Sequence, residues 1–282
     1  MTDLGALGAD VEWPDSATAA HARNSMSSSL GRLDDFVEWL AAVQAVSPPH
    51  DFARARIVVF GSSACDNAIV ELAGASVALV DLASSTTATA AIEGSALADA
   101  EIEAGADIFV VAVPGHDTAA ATVVSVLTNT EPVKVLPRGA TLPPDVWMQR
   151  AIAVRDGRRR AFGLRTTPSE LLAEVDNLAI AAATGFLLRS AARRTPLLLD
   201  GVGALSAALV AATVQLRASR WWRAADVDNQ PVQELALIKL GQRPLLALGV
   251  ERDDGTAGAL GLLALRTALL SVARNSASGQ DA

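Results

Sequence analysis

Tyrosine is absent from this chain, and phenylalanine and tryptophan together make up only 4% of its 282 residues. Little surface is left on which unstacked bases could lie, so single-stranded nucleic acid is not an expected partner. The one cysteine, Cys65, rules out an intrachain disulfide and fits a reducing compartment. The N-terminus, MTDLGALGADVEW, lacks the basic-then-apolar order of a signal peptide, and the expected location is the cytoplasm. No uninterrupted apolar run approaches the ~20 residues that span a bilayer, so no membrane role is expected. Basic residues are also in deficit: 23 Lys and Arg face 31 Asp and Glu, a net charge of −8 spread along the chain. That balance favours solubility over polyanion binding, and a phosphate ligand would need local help.

What is present is apolar and rich in alanine. With 51% hydrophobic residues the chain can bury a large core of closely packed helices. Arg193 to Ala212 (RRTPLLLDGVGALSAALVAA) reads as a strand buried on both faces, a turn at Asp200-Gly201 and a helix. Similar units recur. Ala55 to Phe60, Ala75 to Leu82 and Ala106 to Val113 read as parallel strands, Val133 to Leu136 as a fourth short strand, and Trp221 to Arg223 as the last. Between them, helices are expected at Ala91 to Ala104, from Pro114-Gly115-His116-Asp117-Thr118 to Leu127, at Asp145 to Asp156 with Gly157 as its stop, and at Ser169 to Arg189. Ser84 to Ala90 reads as a loop, and Arg158 to Arg160 as an exposed basic run. Outside this alternating region lie an amphipathic helix after Leu30, closed by Pro48-Pro49, a helix at Pro231 to Leu240 capped by Gly241, and a long apolar helix after Asp253-Asp254. The pattern predicts a three-layer α/β/α fold with a mainly parallel, Rossmann-like sheet, plus a small helical domain from the two terminal segments. The expected divisions are 1–51, 52–225 and 226–282.

In such sheets ligands bind beyond the carboxyl ends of the strands, where helix N-termini present free N–H groups. Two strand-to-helix turns stand out there. At Gly115 to Thr118 a titratable His116 sits beside Asp117 and Thr118, and at Asp200-Gly201 a carboxylate ends the buried strand. Ordinary turn and capping chemistry accounts for both as well as a ligand does. Cys65 reads as a small buried residue rather than a nucleophile, and Asp253 and Asp254 as favourable charges at a helix N-terminus.

Along nearly its whole length the chain resembles the nicotinate-nucleotide:dimethylbenzimidazole phosphoribosyltransferases of cobalamin biosynthesis. Ser29 to Trp39 (SLGRLDDFVEW), Gly105 to Thr118, LTNTEPVKVL, RRTPLLLDG and LGQRPLLALGVERDDGTAGALGLLAL carry the resemblance. It implies a reaction in which a carboxylate takes the proton from a benzimidazole nitrogen as that nitrogen attacks the ribose carbon and nicotinate leaves. It also implies a dimer, formed with a second copy or with an intact relative, and a nucleotide or base as small-molecule ligand. No metal or other cofactor is implied. The departures fall on the chemical positions. The family's Asp-His-Gly becomes Ser63-Ala64-Cys65, its Gly-Asn-Thr-Thr loop becomes Gly115-His116-Asp117-Thr118, and its Gly-Thr-Gly becomes Gly139-Ala140-Thr141. Its helix lysine falls on Arg150 and its catalytic glutamate on Asp254, one methylene shorter. Several dozen residues that the family places between the first and third strands, including part of the base pocket, have no counterpart around Ala83 to Ala98. By this resemblance Asp254 is the candidate base, and phosphate or substrate contacts fall to His116, Asp117, Thr118, Arg138, Gly139, Thr141, Arg150, Asp200, Gly201, Gly255 and Thr256. The expected protein is a degenerate, weakly active or non-catalytic paralogue. The alternatives are a working phosphoribosyltransferase with an altered base or donor, and a nucleotide- or base-binding protein without turnover.

Overall fold

The computed structural model describes residues 3–25, 31–115, 117–137 and 142–278. Its centre is a five-stranded parallel sheet in the order β2-β1-β3-β4-β5, built from β1 (Ala55–Val59), β2 (Ala75–Leu79), β3 (Ile108–Ala112), β4 (Leu197–Asp200) and β5 (Trp222–Ala224). Every residue of β3 is buried, as its unbroken Ile-Phe-Val-Val-Ala run requires of a central parallel strand.

The helices follow in chain order. α1 (Leu4–Leu7), α2 (Ser16–Ser25) and α3 (Leu33–Gln44) precede the sheet; α4 (Asn67–Leu72) joins β1 to β2, and α5 (Thr87–Glu103) joins β2 to β3. α6 (Asp117–Leu127), α7 (Pro132–Val135), α8 (Pro144–Ala161), α9 (Pro168–Val175) and α10 (Leu178–Ala192) fill the long crossover from β3 to β4. α11 (Gly201–Val214), α12 (Pro231–Leu240) and α13 (Thr256–Ser278) complete the chain. Phe109 on β3 meets Phe186 on α10 edge to face at 4.9 Å, which puts α5, α10 and α11 on one face of the sheet. On the other face α13 lies against Val110 and Leu198 and packs on α3, so the two terminal segments meet there. This is the expected three-layer arrangement. Among the described residues no helix is long and apolar enough to cross a membrane.

The α5–α10 crossing depends on two glycines. A Cβ on Gly94 would lie 1.9 Å from the Ala182 carbonyl oxygen, and one on Gly185 would lie 1.9 Å from that of Ala91. The two backbones touch, and only glycine fits at either point.

Three expectations are corrected. Val133 to Leu136 is not a strand: both edges of β3 are taken by β1 and β4, and Pro132 at the first helical position starts α7 instead. Gly157 does not end its helix; α8 runs on to Ala161, and the missing side chain lets it approach Thr122 of α6, whose Cγ2 would be 2.9 Å from a Cβ there. Arg158 to Arg160 therefore form the helix's last turn, where Arg158 stacks on Phe162 and Arg160 pairs with Glu174 at 2.6 Å. The expected loop up to Ala90 is shorter, because Thr86 and Thr89 form a reciprocal capping box that starts α5 at Thr87.

Candidate functional site

The carboxyl ends of β3, β4 and β5 open on a narrow cleft between α6, α7, α8, α11 and α12, lined among others by Asp117, Thr118, Arg150, Val202 and Gln230. Asp117 and Thr118 open α6, and α8 brings Arg150 across to pair with Asp117 at 3.2 Å. Three of the expected contacts thus share one wall. His116, Arg138, Gly139 and Thr141 lie outside the described residues.

Asp200 neither makes a turn through its side chain nor caps α11. It is fully buried, and one oxygen accepts the Gly258 N–H at 2.6 Å, tying the end of β4 to the first turn of α13. The other oxygen has no hydrogen-bond partner among the described residues. Burial, only partly offset by the Gly258 N–H, pushes its pKa well above the ordinary 3.8, as does the company of Asp253, Asp254 and Asp226. Gly201 follows with φ +76, and a Cβ there would fall 2.0 Å from Asp253 Oδ1. The carboxylate of Asp253 therefore lies directly against the start of α11.

Asp253 and Asp254 divide into two different roles. Asp254 Oδ1 accepts the Thr256 N–H at 3.1 Å and the Thr256 hydroxyl at 2.6 Å, while Oδ2 accepts from Arg252 Nε at 2.9 Å. Burial is the largest single influence on Asp254 and acts upward, but the Thr256 and Arg252 hydrogen bonds together outweigh it and hold the carboxyl below 3.8. Asp253 goes the other way. Burial first, then the charges of Asp117 and Asp228, lift it to about 7 against the favourable influence of the Val202 N–H. Asp228 is also lifted, to about 6, by burial and by Glu251 and Asp226, although it accepts the Gln230 N–H at 2.8 Å. Asp226 anchors the neighbouring loop by accepting the N–H groups of Leu248 at 2.7 Å and Val250 at 2.8 Å.

Gly255 and Thr256 are buried beneath this rim. Gly255 has φ +97 and faces Ile57, and Thr256 is engaged with Asp254. Cys65 is buried as expected, its N–H donating to the Asp254 carbonyl at 2.9 Å and burial pushing its thiol upward. Asp253 and Asp228 are the acidic groups that sequence reasoning passed over as site residues. The signal was there: of two adjacent carboxylates before a helix only one can cap it, and Asp226-Val227-Asp228 follows a strand at the ligand-binding end of the sheet.

A family description reading phosphoribosyltransferase matches residues 82–282. The nicotinate-nucleotide–dimethylbenzimidazole phosphoribosyltransferase of Mycobacterium tuberculosis is 33% identical over 94% of this chain and 91% of its own length. The chain belongs to that family. The family's enzyme from Mycobacterium avium is likewise 33% identical, over 92% of each chain. The solved structure of CobT from Thermus thermophilus shares the fold, with a TM-score of 0.78 at 22% identity, covering 91% of this chain and 95% of the other. The alignment to the M. tuberculosis member spans 328 residues against the 282 present here, so that family member carries segments this chain lacks.

Proposed function

We propose that this chain keeps a nucleotide-binding mouth at the carboxyl ends of its strands while transferring phosphoribose weakly or not at all. The state of Asp254 carries this reading. A general base for the transfer needs a free oxygen within about 3 Å of the benzimidazole N–H and a pKa near the working pH. Asp254 spends one oxygen on Thr256 and the other on Arg252, and is held below 3.8. It is also shorter than the glutamate whose place it takes by resemblance. Binding has better support: Thr118 and the first turn of α6 offer a hydroxyl and N–H groups to a phosphate, which would draw Arg150 from its ion pair with Asp117. Arg138, Gly139, Thr141 and His116 belong to the same proposed contact set. Asp117, Asp200, Gly201, Gly255 and Thr256 shape it rather than supply positive charge. A partner subunit, either a second copy or an intact relative, would supply the wall that the shorter chain lacks.

One observation favours a second reading. Asp253, lifted to about 7, has the proton affinity of a base that works near neutrality and stands beside the cleft. In that reading the chain is an active transferase with a substitute base. Calorimetric titration with nicotinate mononucleotide, followed by an assay for nicotinate release with benzimidazole, separates the two. Binding with little or no release, alone and with an intact relative added, is the expected outcome. Release abolished by Asp253→Asn but not by Asp254→Asn establishes the second reading. Efficient release that Asp254→Asn abolishes overturns both, and an absence of nucleotide binding removes the proposed mouth.

A further inference from the structure

A second cavity, of about 420 Å³, lies outside edge strand β5, between the N-terminal segment, α3 and the turn at Leu216–Trp221, and shares no residue with the cleft. Arg223 forms its floor. This residue shares its register line with Leu198, Val110 and Ile57, so its side chain leaves the sheet on the α13 face, where α3 places Trp39. The guanidinium stacks on the Trp39 ring at 4.8 Å, and that ring is fixed by donating Nε1 to the Arg220 carbonyl at 2.9 Å. Among the described residues the Arg223 side chain makes one hydrogen bond, from Nη1 to the Trp222 carbonyl at 2.7 Å, which leaves Nε and Nη2 without a partner there.

Arg223 is half-buried, and among the described residues no carboxylate pairs with it, although a charge partly withdrawn from water is ordinarily matched by an opposite one. Burial and the nearby Arg220 lower Arg223 to about 10, which still leaves it fully charged near neutrality. The carboxylates around it do not reach it. Glu38 is bound to Arg23, accepting from Nε at 2.8 Å, and exposed Asp35 forms no ion pair among the described residues. With Arg23 and Glu38 cancelling each other, Arg220 and Arg223 remain against Asp35, one net positive charge. Apart from Ser16, the rest of the lining is apolar and aromatic: Trp13 is 54% exposed, and both Arg217 and Arg220 lie 6.0 Å from its ring. The volume falls in the range of small-molecule sites.

We propose that this groove binds a small aromatic carboxylate, with the carboxylate on the free edge of Arg223 and the ring against Trp13 and Trp39. A monoanion matches the single net charge, and a flat ring matches the walls. The site is independent of the cleft and of the function proposed for it.

Benzoate is the probe, titrated into the full chain and followed by calorimetry and by tryptophan emission, with neutral benzamide as comparator. Saturable benzoate binding is expected with a Kd of about 1 mM or tighter, near the −4 kcal/mol end of the affinity scale. Arg223→Gln should weaken it about tenfold or more, benzamide should bind about tenfold more weakly, and Arg150→Gln should leave benzoate binding unchanged because Arg150 belongs to the cleft. Asp35→Asn, at an exposed position, removes the opposing charge and should tighten benzoate severalfold; it decides the matter if the Arg223 variant fails to fold. No saturation, equal binding of benzamide, or no response to Asp35→Asn overturns the proposal. So does a dimer in sedimentation whose Trp13 is shielded from an added quencher, because a second copy then covers the groove.

Discussion

Asp253 ties the stability of this protein to pH in a direction opposite to that of most carboxylates. Burial and the charges of Asp117 and Asp228 lift its pKa from 3.8 to about 7 in the folded state, whereas in the unfolded chain it titrates near ~3.9. Between those values the native state holds a proton that the unfolded state has released, so stability falls as pH rises through the window. A shift of about three units at 1.36 kcal/mol each sets a ceiling of about 4 kcal/mol, and the solvent contact that Asp253 keeps reduces this to about 2–4 kcal/mol. Asp253→Asn fixes the side chain in a neutral form that can still accept the Val202 N–H. The variant should match the parent near about pH 4, where Asp253 is protonated in the native state, and exceed it by about 2–4 kcal/mol near about pH 8. Urea unfolding followed by far-ultraviolet circular dichroism at several pH values gives both curves, and an unchanged m value shows that the same transition is being compared. Asp228, lifted to about 6 in the same direction, is present in both proteins and cancels to first order. Equal stabilities near about pH 8, or a less stable variant there, would refute the arrangement of carboxylates described above.

Two further substitutions test close backbone contacts, one at the α5–α10 crossing and one at the site. Gly94→Ala drives a Cβ into the Ala182 carbonyl at 1.9 Å, so a loss of about 1–3 kcal/mol or more is expected in thermal or urea unfolding; a neutral outcome would show that α5 and α10 do not cross this closely. Gly201→Ala meets both a φ of +76 and the Asp253 carboxylate at 2.0 Å. Adding Asp253→Gly should recover the part of the loss due to contact and leave about 1–2 kcal/mol for the backbone conformation, and strict additivity of the two changes in a double-mutant cycle would exclude the contact.

The sheet was legible because its strands are short apolar runs ended by turn residues, and a parallel strand buried on both faces has no other pattern. Pro231 to Leu240 with Gly241 as its stop was legible for a local reason: proline at the first position and a left-handed glycine, φ 62, specify both ends. The misread elements are those whose meaning is tertiary. Val133 to Leu136 has strand-like composition, but both sides of β3, the strand before it, are already taken by β1 and β4. Gly157 looks like a stop until Thr122 is seen beside it. In the site, the resemblance selected Asp254, and spacing alone could not tell which of two neighbouring carboxylates would be consumed by capping. Asp200 looked like turn chemistry because the Gly258 N–H that it accepts is contributed from 58 residues further along the chain.

The reciprocal seat of Gly94 and Gly185 also bears on how the molecule can move. Each helix presses bare backbone into the other, and displacement of either by one residue would put Glu93 or Ser95, or Thr184 or Phe186, where only glycine fits against the facing carbonyl. The joint behaves as a weld rather than a bearing, so sliding of α5 along α10 is mechanically forbidden. Any closing at the strand ends must be carried by the connecting loops while this half of the molecule stays a rigid anvil.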